Sequence, residues 1–170
     1  SIDTSLYNYI VADMDIFTET SFPENTTIGF TTKSNGYTPI VQLSGRNLTS
    51  MGNSVSFGQS WKHLTFIYDV EAQKVYVYVA NAYLTSITGV SVDNIFDLSI
   101  VVPKGTSSAK KTSISFDNVL IRALGTEYVE TQLKSLLASN SPLYSWNDKS
   151  SSSVTASYLA MANNEFLYTY

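Results

Sequence analysis

Residues 61–80 read WKHLTFIYDVEAQKVYVYVA, and their alternation decides the fold class. Leu64, Phe66 and Tyr68 fall on one side of a pleated strand, while Trp61, His63, Thr65, Ile67 and Asp69 fall on the other. In the second half, Val75, Val77 and Val79 point one way and Lys74, Tyr76 and Tyr78 the other. The valine face is expected to be dry core and the tyrosine face wet. The polar stretch from Asp69 to Gln73 is short enough for a hairpin, which sets the two strands antiparallel.

The same period recurs outward from this hairpin. Within residues 6–17, Ile10, Ala12, Met14 and Ile16 form an apolar row opposite Tyr7, Tyr9, Val11, Asp13 and Asp15, and Pro23 and Asn25 read as the turn that follows. Residues 27–32 and 38–43 read as strands about the tip Ser34-Asn35-Gly36. Residues 54–57, 96–102 and 112–124 are further strands. One segment departs from period 2: after Gly125, Thr126 can cap a helix in which Val129, Leu133, Leu136 and Leu137 recur at helical spacing, ending near Asn140 ahead of Pro142. Residues 154–170 read as an added hairpin about Asn163-Asn164. The expectation is one domain over 1–170, an all-β antiparallel sandwich with one short helix covering an edge or an end.

Composition narrows the function classes. The chain has 170 residues, 44% hydrophobic but only 14% charged against a typical quarter, so its surface is polar and uncharged rather than ionic. A net charge of −4 gives no extended positive field, which argues against nucleic acid as a partner. Cysteine is absent, removing disulfides, thiol nucleophiles and thiolate metal sites together. No apolar run approaches the roughly 20 residues that span a bilayer, so no membrane insertion is expected and the chain reads as soluble and processed, or cut from something longer.

Chemistry has few residues to work with. His63 is the only histidine, which excludes a multi-histidine metal site, and a lone strand histidine reads as structural. No G-x-S-x-G elbow or phosphate-binding G-x-x-x-x-G-K-[ST] loop is present. Twelve tyrosines against ten basic residues favour binding, because sugars stack their apolar sides on aromatic faces while Asn, Asp and hydroxyl groups fix their orientation. Tyr7, Tyr9, Tyr76 and Tyr78 are the carbohydrate-binding candidates, two on each of two strands, with Tyr37 at a loop tip as a further contact. Trp61 is assigned to the core.

The order of features in WKHLTFIYDVEAQKVYVYVANAYL and ISFDNVLIRALGTEYVETQLKSLL resembles the laminin-G-like branch of the concanavalin A-like lectins and glucanases. Members show a Trp opening a strand, a Tyr-Asp at its end, a valine-tyrosine strand, and a late hydrophobic-Asp-Asn-Val strand leading into a short helix. Here these are Trp61, Tyr68-Asp69, Val75 to Val79, and Phe116 to Ile121. Together they cover a little over a third of the chain; Ala80-Asn81-Ala82 lacks the glycine usual after the valine-tyrosine strand. The resemblance implies a jelly-roll sandwich and a non-catalytic carbohydrate-binding or adhesion module of a larger cell-surface, secreted or phage tail protein, hence an extracellular, cell-surface or virion location. It also implies calcium as a cofactor to consider, with Asp93, Asp97 and Asp117 as candidate oxygen ligands. No EF-hand-like spacing supports that set, and the competing reading is turn chemistry.

The glucanases of the same superfamily carry paired carboxylates on one strand face. Asp13 and Asp15 share a face here, but Glu19 is displaced toward the turn and Asp13 stands where those enzymes have glutamate. No catalytic residue is assigned. Besides hydrolysis, the alternative is a structural module, homo-oligomeric or packed on neighbouring domains of the same polypeptide, as in a fibre or spike.

Overall fold

The computed structural model describes residues 1–104, 111–124, 127–143, 151–154, 161–162 and 165–169. In chain order the strands are β1 (Ile2–Asp3), β2 (Tyr9–Phe17), β3 (Phe22–Thr32), β4 (Gly36–Gly45), β5 (Asn47–Ser50), β6 (Asn53–Ser56), β7 (Lys62–Asp69), β8 (Lys74–Val79), β9 (Ala82–Ile87), β10 (Asn94–Val102) and β11 (Ser115–Leu124). Helix α1 (Glu127–Ala138) follows, then β12 (Ser151–Val154), β13 (Met161–Ala162) and β14 (Glu165–Thr169). A 3-10 turn at Thr4–Leu6 joins β1 to β2. Thr126 and the Asn163-Asn164 tip lie outside the described residues.

The strands form two antiparallel sheets. One runs β13-β14-β10-β3-β4-β5-β6 with β1 also paired to β10; the other runs β12-β11-β2-β7-β8-β9. Between them lies the main core, in which the apolar rows Ile10-Ala12-Met14-Ile16, Leu64-Phe66-Tyr68 and Val75-Val77-Val79 of one sheet meet Ile28, Phe30, Leu43, Leu98 and Ile100 of the other. Phe30 and Phe66 lock the two layers edge to face at 5.9 Å. The sandwich and the antiparallel hairpin of residues 61–80 are therefore as expected, with β7 and β8 in register from Leu64↔Val79 to Asp69↔Lys74.

Sequence-distant strands lie side by side. β2 has β7 on one flank and β11 on the other, so residues near 13, 65 and 120 become neighbours. The C-terminal segment divides: β12 pairs with β11 in one sheet, while β14 pairs with β10 in the other. Within residues 154–170, β13 and β14 pair antiparallel, Met161↔Phe166 and Ala162↔Glu165, as the expected hairpin, which adds through β14 to β10 at the edge of the eight-stranded sheet. Pro23 and Asn25 do not form the turn expected after β2; they sit in the irregular start of β3, where the register shifts between Phe22 and Thr26 and Asn25 adopts φ 59°.

The helix decides what the six-stranded sheet exposes. Leu133 and Leu137 seat against Tyr9, Val11, Ile67, Tyr76, Tyr78 and Leu124, making a second apolar cluster on the outer face of that sheet. Asn8 donates through Nδ2 to Glu130 Oε2 at 3.1 Å, tying the helix to the start of β2. The helix ends in a Schellman turn: Ser141 N–H donates to Leu136 O (3.0 Å) and Asn140 N–H to Leu137 O (3.3 Å), with Asn140 at φ 52°. Pro142 follows, and Leu143 N–H then donates to Asn81 O at 3.0 Å. Among the described residues no helix is long and apolar enough to cross a membrane.

Candidate functional site

The tyrosines expected to form a wet face do not form one. Tyr9, Tyr76 and Tyr78 are 7%, 9% and 0% exposed, because α1 lies on that face and turns it into the second core. Burial first, and then the neighbouring Tyr76 and Tyr83, pushes the Tyr78 hydroxyl up to about 12. Tyr7 is half-buried against the main core, and Tyr37, on the eight-stranded sheet, donates its hydroxyl to Thr27 Oγ1 at 2.8 Å. The five side chains lie in three separate places. A period of two shows that an aromatic face exists; it does not show whether a helix covers it.

The candidate oxygen ligands are also separated. Asp93 and Asp97 belong with β10 in the eight-stranded sheet, whereas Asp117 lies on β11 in the other. Asp93 Oδ1 and Asp117 Oδ1 each accept the backbone N–H of the next residue, Asn94 and Asn118, at 2.7 Å, which is the turn chemistry expected of Asp. Among the described residues no group of three or more His, Asp or Glu side chains is placed to hold a metal ion.

What the fold does bring together is a polar cluster beside the helix. β2 aligns antiparallel with β7 so that Asp13 faces Thr65 and Asp15 faces His63, and the alternation already noted puts all four on the outer face. His63 Nε2 lies 2.9 Å from Asp13 Oδ1, and Nδ1 lies 2.7 Å from Asp15 Oδ1. Thr65 Oγ1 donates to Asp13 Oδ1 at 2.8 Å, and Arg122 Nη2 lies 3.4 Å from Asp13 Oδ2. From β11, a bulge between Asp117 and Leu120 places Asn118 at φ 52°, a conformation asparagine tolerates. Asn118 Nδ2 thereby donates to Asp15 Oδ2 at 2.8 Å.

A carboxylate has no proton to give, so both imidazole nitrogens facing carboxylates require an imidazolium. The Asp13 hydrogen bond outweighs burial and, with Asp15, lifts His63 from 6.5 to about 9. For Asp15, burial pushes upward, but the hydrogen bonds from Asn118 and His63 together prevail and lower it from 3.8. Two carboxylates, one imidazolium and one guanidinium then balance in charge. Asp13, His63, Thr65, Asn118 and Arg122 line a shallow cleft of about 290 Å3, bordered by Asn81, by Leu143 after the helix and by Leu120 on β11.

A stability window follows. The raised His63 contributes stability that is complete below 6.5 and is lost as pH rises through about 9; the lowered Asp15 contributes stability complete above 3.8 and lost as pH falls through its folded value. Both contributions are whole between 3.8 and 6.5. The alkaline loss is bounded near 3 kcal/mol by the size of the shift and, because the ring is 36% exposed, is expected at about 1–2 kcal/mol after solvent screening. Thermal unfolding followed across this range should show the alkaline decline in the wild type and a flatter limb in His63→Asn. A wild-type midpoint that does not move between 6.5 and 9 would contradict the pairing.

One pleat beyond the cluster lies an aromatic pair that the sequence reading placed otherwise. Trp61 is 49% exposed, not core, because it shares the side of His63 and Thr65 rather than that of Leu64 and Phe66. Its ring stacks on Phe17, the residue two past Asp15, with centroids 5.3 Å apart and planes 21° apart. Two residues of strand advance about 7 Å, so the aromatic pair and the Asp15–His63–Asn118 group are adjacent on one surface. Glu19 is exposed past the end of β2 and takes no part in the cluster. Thr65, Arg122, Asn81 and Phe17 are site residues that sequence reasoning passed over, while His63 reads from sequence as structural only. Comparison of the chain with protein-family models, curated proteins and solved structures finds no match.

Proposed function

We propose that the protein is a non-catalytic carbohydrate-binding module of the jelly-roll, concanavalin A-like kind, and that its binding surface is the outer face of the six-stranded sheet at Trp61, Phe17, Asp15, His63 and Asn118. The observation that carries this reading is the exposed Trp61–Phe17 stack set one pleat from fixed hydrogen-bonding groups. A sugar ring has an apolar side and a rim of hydroxyls, and recognition pairs an aromatic plate for the first with carboxylate and amide groups for the second.

The same geometry favours holding a ligand over cleaving one. A retaining glycosidase needs a carboxyl that gives up a proton beside a free carboxylate nucleophile. Here His63 is positioned to hold both Asp13 and Asp15 as acceptors. A module that displays one shallow site gains strength from multivalent presentation, which suits an adhesion role outside the cell or on a virion, with glycan as partner.

The test is a glycan array read for saturable binding, followed by Trp61→Ala. Loss of an exposed aromatic anchor at the centre of a site typically removes about 1.4 kcal/mol or more, a tenfold weakening, while an exposed side chain contributes little to folding. Binding that survives Trp61→Ala unchanged would remove this face from consideration.

A further inference from the structure

Resting on that reading of the face, we infer that its ligand is a single uncharged, hydroxyl-rich ring, a neutral sugar unit rather than an acidic or amino sugar. Three observations carry this. First, the cations nearest the cleft are turned inward: both nitrogens of His63 face Asp13 and Asp15, and Arg122 Nη2 lies on Asp13 Oδ2. A carboxylate, sulfate or phosphate on the ligand would meet the oxygens of two aspartates with no cation among the described residues of the cleft directed at it, and like charges at short range repel.

Second, a cationic group fares no better. The carboxylates already face an imidazolium and a guanidinium that offset their charge, and an ammonium brought to the remaining lone pairs of Asp15 would lie against the His63 imidazolium, which stays protonated to about 9. What the surface does offer a newcomer is neutral hydrogen-bonding capacity: the partly exposed Asp15 carboxylate, with lone pairs beyond the two it uses, and the exposed Asn118 amide. Third, the Trp61–Phe17 stack is a single aromatic plate, and the adjoining cleft that His63 and Asn118 line is only about 290 Å3, at the lower limit of ligand clefts, which suits one ring over an extended chain.

The experiment is a titration of the wild-type protein and of Trp61→Ala and Trp61→Phe, near neutral pH, against matched oligosaccharides. The probes end in a neutral hexose, the same hexose sulfated, a sialic acid, or a hexosamine with a free amine. Saturable binding of a neutral-ended probe is expected, weakened about tenfold or more by Trp61→Ala, largely kept by Trp61→Phe, and weakened at least about tenfold by sulfation of the terminal ring. Saturable binding confined to the sialylated, sulfated or amine-bearing probes, and lost on Trp61→Ala, overturns the neutral-ring inference while leaving the carbohydrate-binding reading intact. No saturable binding to any probe overturns both.

Discussion

Replacing Gly29 by alanine is expected to destabilise the protein by about 3 kcal/mol or more, at the upper end of what overpacking costs. Gly29 sits where the β3–β4 register shifts, between Ile28 and Gly29, and across β3 it is also paired to Ser99 of β10. A Cβ there would overlap Thr38 O and come within 2.7 Å of Pro39 Cα and 2.8 Å of Thr38 C. These are backbone atoms of a central strand, so no rotamer change relieves the clash; the two strands must part. Gly36 provides the contrast. Its φ of 65° strains any side chain, but the space around it is open, so Gly36→Ala should cost only about 1–2 kcal/mol. Urea unfolding of the two variants should separate them clearly, and equal midpoints would show that the β3–β4 contact is looser than described.

The second large effect is expected at Phe66. It is 1% exposed, on β7, and its edge-to-face contact with Phe30 of β3 joins the two layers. Phe66→Ala removes a buried ring from between sheets whose backbones are held by their own strand pairing, so the cavity can only partly collapse. Such changes cost about 3–5 kcal/mol, a large part of the roughly 5–15 kcal/mol that keeps a domain folded. Phe66→Leu, which refills most of the space, should recover much of the loss. A loss under about 1 kcal/mol in Phe66→Ala would mean that Phe66 is not a shared core residue of both sheets.

The elements that could be read from sequence were those in which local pattern and tertiary role agree. The 61–80 hairpin qualified because its valine row and its Leu64-Phe66-Tyr68 row both end in the main core. The helix qualified because its leucine spacing, Asn140 and Pro142 fix its face and its end. β5 and β9 escaped notice: Asn47–Ser50 and Ala82–Ile87 are held by backbone pairing to β4, β6 and β8 more than by an apolar row.

The site was less legible, for a physical reason. Whether Tyr76 and Tyr78 are wet depends on a helix some fifty residues later, and whether His63 meets Asp13 and Asp15 depends on β2 choosing β7 as its neighbour. Neither fact is local. Alternation alone placed Trp61 beside His63 and away from Leu64, and that residue-level signal pointed to its exposure more truly than its size did.

The binding face can be interrogated through Trp61 itself. The chain has two tryptophans, so Trp146→Phe leaves Trp61 as the sole indole reporter. Titrating that variant with the neutral-ended oligosaccharide while following tryptophan emission and its quenching by acrylamide tests the central claim directly. A saturable change in emission, with quenching reduced as the ring covers the half-exposed indole, is the expected result. Emission and quenching unchanged at ligand concentrations that saturate binding would place the ligand elsewhere and contradict the account.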